Sequence, residues 1–201
     1  MIRTLLPPAR GSAERTADGL RVLAAVCIVV AGIGWGPASG ASLAGVTAGM
    51  FLPRLLRVRA SFDIAFGIGV LVAVWSSVLQ IYITTRWWDV PMHLLTNGLW
   101  AAVVYISLVR LGVIADAATL PRPMLSAAVM TTALGLSLGV TWEIWEWIGH
   151  TYIDEGILVG YNDTVGDLFW GGVGALVAGL FLPFLTNRSV RPESAPRAAE
   201  H

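Results

Sequence analysis

Residues 124–148 read MLSAAVMTTALGLSLGVTWEIWEWI, an apolar run that carries no charged side chain before Glu143. A run of about 20 apolar residues is long enough to cross the hydrocarbon core of a bilayer as a helix. Glu143 and Glu146 follow near its end, among tryptophans. Charged groups inside a membrane are costly, so carboxylates at the end of such a run indicate a functional site.

The composition of the chain is that of an integral membrane protein. Its 201 residues are 56% hydrophobic and 13% charged, whereas soluble domains are about 25% charged. The formal net charge is zero, so we expect membrane lipids as surroundings and no nucleic acid as a partner. The single cysteine, Cys27, excludes a disulfide within the chain.

Six apolar runs predict an all-α polytopic membrane bundle with six transmembrane helices. The runs are 20–35, 38–53, 62–83, 91–110, 124–148 and 165–186. The first two are short and are separated by the sequence GWGP, so they form either two tilted spans or one re-entrant hairpin. Residues 1–19 and 187–201 are polar, and we expect them to be flexible tails around a transmembrane domain of residues 20–186.

The distribution of arginine predicts the orientation of the bundle. Basic residues concentrate in the cytoplasmic loops of membrane proteins. With both termini in the cytoplasm, all of the 13 arginines except Arg86 fall on the inner side. Most of the tryptophans then fall near the outer ends of the spans, as in an aromatic belt. The N- and C-termini are therefore expected to be cytoplasmic.

Acidic residues and histidines collect at the predicted outer ends of the last three spans. Helical spacing places the members of each set on one face of their helix. The three sets are Asp89, His93 and Asn97; Glu143, Glu146 and His150; and Asp163 and Asp167. The sequence therefore predicts that three helices present carboxylates and imidazoles to one common site.

This set of donors suits a hard divalent cation. Carboxylate oxygens with a few imidazole nitrogens favour Mg, Mn, Ca or Zn over copper or an iron–sulfur centre. A cation would also relieve the repulsion between neighbouring carboxylates. The predicted metal ligands are Asp89, His93, Glu143, Asp163 and Asp167. The predicted catalytic residues are Glu146 and His150, either of which would be the general base.

Simpler roles compete for some of these residues. Asp163 is placed to cap a helix, Asp89 to pair with a neighbouring arginine, and His150 to lie at the interface without a ligand. Asp154 and Glu155 fit solvated charges of a loop. Membranes penalise ungrouped carboxylates, so the grouped carboxylates still favour a site.

Three motifs, taken in order, resemble the YjdF-like family of bacterial inner-membrane proteins. They are DVPMH at 89–93, WEIWEW at 142–147 and NDTVGD at 162–167. The resemblance covers roughly residues 60–186 and implies a small, multi-pass helical protein of the bacterial inner (plasma) membrane, without an assigned activity. The motif positions of the family are matched by Asp89, His93, Glu143, Glu146, Asp163 and Asp167.

One departure from the family pattern predicts a reshaped pocket. Trp170 and Gly171 stand where the family often has an asparagine after the last aspartate. More distantly, the layout is similar to that of VanZ-like membrane proteins, an analogy of architecture alone.

Two classes of function fit these observations. The first is a metal-dependent hydrolase of a lipid headgroup or an envelope precursor at the outer leaflet. The second is a transporter or binding protein for a cation, a proton or an amine, for which the cytoplasmic half offers only Asp63 and Asn97 as path-lining residues. The polar groups stop at one membrane face, which favours the enzyme. A third alternative is an accessory subunit of a membrane complex, with its oligomeric state and partners left open.

Overall fold

The computed structural model of the chain describes residues 9, 11–157 and 159–186. Within these residues all regular structure is helical, as the sequence predicts. The helices are α1 (Ser12–Trp35), α2 (Pro37–Gly49), α3 (Phe51–Leu55), α4 (Ala60–Val78), α5 (Ile81–Thr84), α6 (Asp89–Arg110), α7 (Pro123–Tyr152), α8 (Tyr161–Leu180) and α9 (Leu182–Thr186). Short 3-10 turns lie at Arg86–Trp88 and Ala117–Thr119.

The predicted tails fall largely outside the described residues. The C-terminal tail, 187–201, lies wholly outside them, as do residues 1–8. The last part of the predicted N-terminal tail is helical, because α1 begins at Ser12. The helix starts before the apolar run because Glu14 and Asp18 in its first turns form ion pairs with Arg54 of α3, both at 3.2 Å.

Among the described residues, four helices are long and apolar enough to cross a membrane, namely α1, α4, α6 with the turn before it, and α7. Helix α8 has 20 residues, but Asn162, Asp163 and Asp167 make its first half polar. Helix α2 has 13 residues, roughly 20 Å, which is shorter than the hydrocarbon core of about 30 Å. A helix therefore corresponds to each predicted run, while the number of six spans stays a prediction.

Helices α1 and α2 form a hairpin that turns at Gly36. This glycine has φ 96°, a left-handed conformation that side chains disfavour, and Pro37 opens the next helix. The two helices cross closely, since a Cβ on Gly40 would lie 3.1 Å from the Cα of Gly32. The main apolar core joins this hairpin to α4 and α6 and includes Leu43 and Phe66.

A buried charge network connects α1 with α4 at one end of the bundle. The Arg21 guanidinium donates to the carbonyl oxygen of Met50 from Nε at 3.0 Å and Nη2 at 2.7 Å, and it pairs with Asp63 and Asp18. A buried charge is tolerated when partners satisfy it in this way. Asp63 is thus a packing partner and does not cap α4, whose N-cap is Arg59 without a side-chain bond. We call this region the arginine end.

Glycines bring α6 and α8 into backbone contact. A Cβ on Gly98 would lie 2.6 Å from the carbonyl oxygen of Gly174, and a Cβ on Gly174 would overlap the carbonyl oxygen of Leu94. Small residues permit such approach between membrane helices. Helix α7 follows α6 in the chain and runs back in the opposite direction, so α6 and α8 run in the same direction. Their first turns therefore lie side by side at the end opposite to the arginine end.

The contact at Gly174 predicts a local sensitivity to side-chain size. Gly174→Ala is expected to lower stability by roughly 1–3 kcal/mol, because the added methyl overlaps the Leu94 carbonyl and forces α6 and α8 apart. Gly166→Ala on the same helix is the matched control, since nothing lies within 4 Å of a Cβ there. Thermal unfolding in detergent, followed by circular dichroism, compares the two variants. Equal melting temperatures would contradict the backbone contact.

Candidate metal centre

Asp89, His93 and Asp167 form a compact group across α6 and α8. His93 Nε2 lies 3.3 Å from Asp89 Oδ1, one helical turn earlier, and 3.7 Å from Asp167 Oδ2. The three ligating atoms all lie within 4.8 Å of one another. Asp167 is the most enclosed member, with its side chain 8% exposed. The parallel arrangement of α6 and α8 produces this group, because it brings the two polar helix starts to the same level.

The geometry of the group fits a divalent ion. Donor atoms bound to one ion at about 2.1 Å are roughly 3.0–3.4 Å apart. The His93–Asp89 separation of 3.3 Å lies in this range, and the His93–Asp167 separation of 3.7 Å is slightly longer. Three protein ligands would leave positions for water and substrate, as in catalytic centres. The same distances also fit a protonated imidazole between two carboxylates, so a measurement of bound metal has to separate the two interpretations.

Glu146 and Asp163 share the electrostatic environment of this group. Glu146 interacts electrostatically with Glu143, His93 and Asp167. Asp163 likewise interacts with Glu143 and His93, and with Asp89. The predicted ligands Glu143 and Asp163 therefore lie close enough to the compact group to interact with it electrostatically, but they are not members of it. Asp163 is also not the cap of α8, because Gly160 occupies the N-cap position.

Glu143 has an oxygen without a hydrogen-bond partner. Among the described residues, its Oε1 is buried and accepts no bond. The side chain lines a groove of about 290 Å³ between α7 and α8, together with Val140, Ile144 and Trp147 of its own helix. A buried acceptor without a donor is unfavourable. The Glu143 carboxylate therefore lines the groove while one of its oxygens is unsatisfied by the described residues.

His150 contacts the loop that follows α7. Its Nδ1 lies 2.7 Å from the carbonyl oxygen of Ile157, and the side chain of Ile157 covers Gly149. In the neutral tautomer with Nδ1 protonated, the ring donates this bond. Asp154 accepts a bond of 2.8 Å from the amide of Gly156, a local turn contact that suits the predicted loop charge. His150 thus holds a loop and stands outside the compact group.

Ser76, Tyr82 and Trp88 lie beside the site. The sequence places Trp88 among the tryptophans near the outer ends of the spans, but it did not single out Ser76 or Tyr82. The Trp88 indole donates to Ser76 Oγ at 2.9 Å, and Tyr82 interacts electrostatically with Asp89. Gln80 has a left-handed φ of 56°, which ends α4 and turns α5 back across it. Gln80 itself is exposed. No periodic pattern signals a left-handed glutamine, so the position of Tyr82 was not predictable.

The two residues predicted to line a transport path both serve packing. Asn97 Nδ2 donates to the carbonyl oxygen of Gly135 at 3.0 Å and lies directly against Gly171, between α7 and α8. Asp63 pairs with Arg21 at the arginine end. Each polar group is thus used in a separate contact between helices.

The chain belongs to the DUF2238 family, whose description is "predicted membrane protein" and which matches residues 19–188. No curated protein and no solved structure matches the chain. The family and the four long apolar helices together identify an integral membrane protein. The family description carries no activity, so the function has to be argued from the site itself.

The contact of His150 predicts its effect on the loop. His150→Ala is expected to speed amide hydrogen exchange in residues 153–157 by roughly 2- to 10-fold, because one hydrogen bond contributes about 0.5–1.5 kcal/mol. Thr151→Ala, an exposed neighbour on the same helix end, is the control and should leave exchange unchanged. Hydrogen exchange read by mass spectrometry measures both. Unaltered exchange in His150→Ala would show that the bond does not hold the loop.

Proposed function

We propose that this member of the DUF2238 family is a metal-dependent hydrolase that acts on a lipid headgroup or an envelope precursor. The observation that carries the proposal is the compact Asp89–His93–Asp167 group at one end of an apolar helix bundle. Its ligands suit a divalent ion such as Mg, Mn, Ca or Zn. A charged group of this kind is costly in a membrane protein, which favours a functional role over a structural one.

The proposal places the site outside the cytoplasm of a bacterial cell, in the inner membrane. Asp63 at the arginine end and Ser76 beside the site are roughly 20 Å apart along α4, so the two clusters occupy opposite ends. The positive-inside rule then assigns the arginine end to the cytoplasm. Six spans with both termini inside follow if α8 crosses as the last span and α2 with α3 as the second.

The YjdF-like relationship belongs to the same proposal. It rests on the three motifs that supply Asp89, His93, Glu143 and Asp167. The VanZ-like proteins serve only as an analogy for a small bundle with its site at one membrane face.

The chemistry follows from the positions of the side chains. A bound ion would polarise a phosphoryl oxygen and acidify a bound water. Glu146, next to the compact group, accepts the proton of that water as its oxygen forms a bond to phosphorus. The bond between phosphorus and the leaving oxygen breaks, and Glu146 returns the proton to that oxygen. His150 is the weaker candidate for the base, because it is engaged with the Ile157 carbonyl.

The alternative functions require contacts of a different kind. A transporter for a cation, proton or amine needs a polar path through the cytoplasmic half, and Asn97 and Asp63 are both engaged in packing. A role as an accessory subunit does not require the Asp89–His93–Asp167 group to bind or react with anything. Bound metal and hydrolysis therefore separate the enzyme from both alternatives.

The sidedness of the site is tested by cysteine labelling in intact cells. In a Cys27→Ser background, a membrane-impermeant maleimide is expected to label Glu155→Cys, which lies near the site, because that loop faces outward. Asp116→Cys, in the loop between α6 and α7, is the matched control and should react only after the cells are lysed. The opposite pattern would place the site in the cytoplasm and contradict the proposed orientation.

The metal centre is tested by elemental mass spectrometry of the protein purified in detergent. The wild type is expected to hold about one equivalent of a divalent ion, with His93→Ala and Asp167→Asn losing at least tenfold because each removes one of three ligands. Glu143→Gln should retain the ion, and Asp154→Asn is the control. A wild type that stays metal-free after reloading with Mg, Mn, Ca and Zn would instead support an imidazolium between two carboxylates and redirect the search to transport.

The role of Glu146 is read from the same preparations. Glu146→Gln should keep the ion yet lose roughly 10²- to 10⁴-fold in release of phosphate from lipid phosphates, the usual contribution of a general base. Equal activity in Glu146→Gln would exclude it as the base. Loss of metal in that variant would make it a ligand.

A further inference from the structure

One face of α7 carries an apolar stripe that leads to the site. Its residues are spaced by three, four or seven positions, so they lie on one side of the helix. Each is between 40% and 56% exposed in the single chain. The stripe consists of Leu125, Val129, Leu136, Val140, Ile144 and Trp147. It spans roughly 33 Å along the axis, about the thickness of the hydrocarbon core.

Helix α8 forms the second wall and the floor of a groove along this stripe. Leu168 lies over Gly139, and Leu136 lies over Gly172, which keeps the two helices in register. Two concave regions follow one another along the seam, of about 410 Å³ at the α7 start and 290 Å³ near the site. Leu136 borders the first and Val140 the second, one helical turn apart. Together they make one long apolar groove that opens toward the lipid.

The groove has a polar end at Glu143. The buried Oε1 of this side chain has no donor among the described residues. Glu143 interacts electrostatically with Glu146, Asp163 and Asp167, so the end of the groove adjoins the candidate metal centre. An apolar groove that ends at a carboxylate side chain complements an amphiphile whose headgroup carries a hydrogen-bond donor.

We propose that the α7–α8 groove binds one hydrocarbon chain of an amphiphilic substrate, while a hydroxyl or ammonium group of its headgroup donates to the Glu143 carboxylate. The inference rests on the proposed function and names the substrate class and its route. The substrate reaches the site laterally from the bilayer. Its phosphate then lies beside Asp89, His93 and Asp167, and water reaches it from the opposite, aqueous side.

Photolabelling of the full chain in nanodiscs tests this binding mode. The probes are three phospholipids with a diazirine in one acyl chain and ethanolamine, glycerol or choline as the headgroup, each dilute in phosphatidylcholine. We expect label at Val140, Ile144 and Leu168, at least threefold higher with ethanolamine or glycerol than with choline, which has no donor. Stronger labelling by the ethanolamine probe would identify an ammonium group as the donor, and stronger labelling by the glycerol probe would identify a hydroxyl group. Glu143→Leu should remove the preference.

A pair of matched variants tests the groove itself. Val140→Phe fills the groove near Glu143 and should lower labelling of Ile144 and Leu168 at least threefold. Val29→Phe makes the same change on α1, where Val29 is also exposed, and should leave labelling unchanged. Both positions are exposed in the bundle, so both variants are expected to fold. Equal labelling in the two variants would overturn the proposal.

The outcomes also separate this inference from the metal centre. A headgroup preference that persists in the presence of a chelator, in a protein without bound metal, supports the groove even though the hydrolase proposal fails. Bound metal with labelling that is independent of the headgroup overturns the groove alone. Wild-type protein without label at these positions, as a second copy packed over the seam would produce, overturns it as well.

Discussion

The closeness of α6 and α8 is the constraint on which the rest of the structure depends. The two main chains touch where Gly98 and Gly174 meet and where Gly174 meets the carbonyl of Leu94. With this spacing His93 and Asp167 come within 3.7 Å across the seam. Helix α7 is attached to the same pair through Asn97, whose amide bonds the Gly135 carbonyl. The site is thus a product of helix packing, and short side chains in the middle of the membrane determine which carboxylates meet at its surface.

Charged side chains are paired within the chain at one end of the bundle and only partly paired at the other. At the arginine end, Arg21 finds Asp63, Asp18 and a main-chain carbonyl, so the charges satisfy one another within the chain. At the other end, the carboxylates of Asp89, Glu143, Glu146, Asp163 and Asp167 outnumber the basic side chains, His93, His150 and Arg86, and one carboxylate oxygen has no partner among the described residues. Internally balanced charges hold helices together, whereas an excess of one sign calls for a partner from outside. This asymmetry supports a structural role for the arginine end and the proposed chemical role for the opposite end.

Much of this arrangement could be predicted from the sequence, because helical periodicity and hydropathy are local. The pairing of Asp89 with His93 follows from a spacing of four, and the three polar helix ends follow from the alternating direction of the spans. The choice of Asp167 over Glu143 and Asp163 for the compact group could not be predicted, since it depends on how α7 is rotated and on the level along the helix axes at which α8 meets α6. The extension of α1 to Ser12 and the return of Tyr82 depend on a long-range ion pair and a left-handed residue, which no local pattern reveals.

The glycine contact also determines how far the candidate centre can adapt. Asp89 and His93 share one helix, and Asp167 lies on a second helix that cannot slide or withdraw while the main chains touch. Side-chain rotation can redirect the donor atoms, but the distance between the helix axes is fixed by contacts between main-chain atoms. A divalent ion in the proposed centre would therefore be held between helices at a fixed separation. Such a centre would select ions by radius more strongly than a site on a flexible loop.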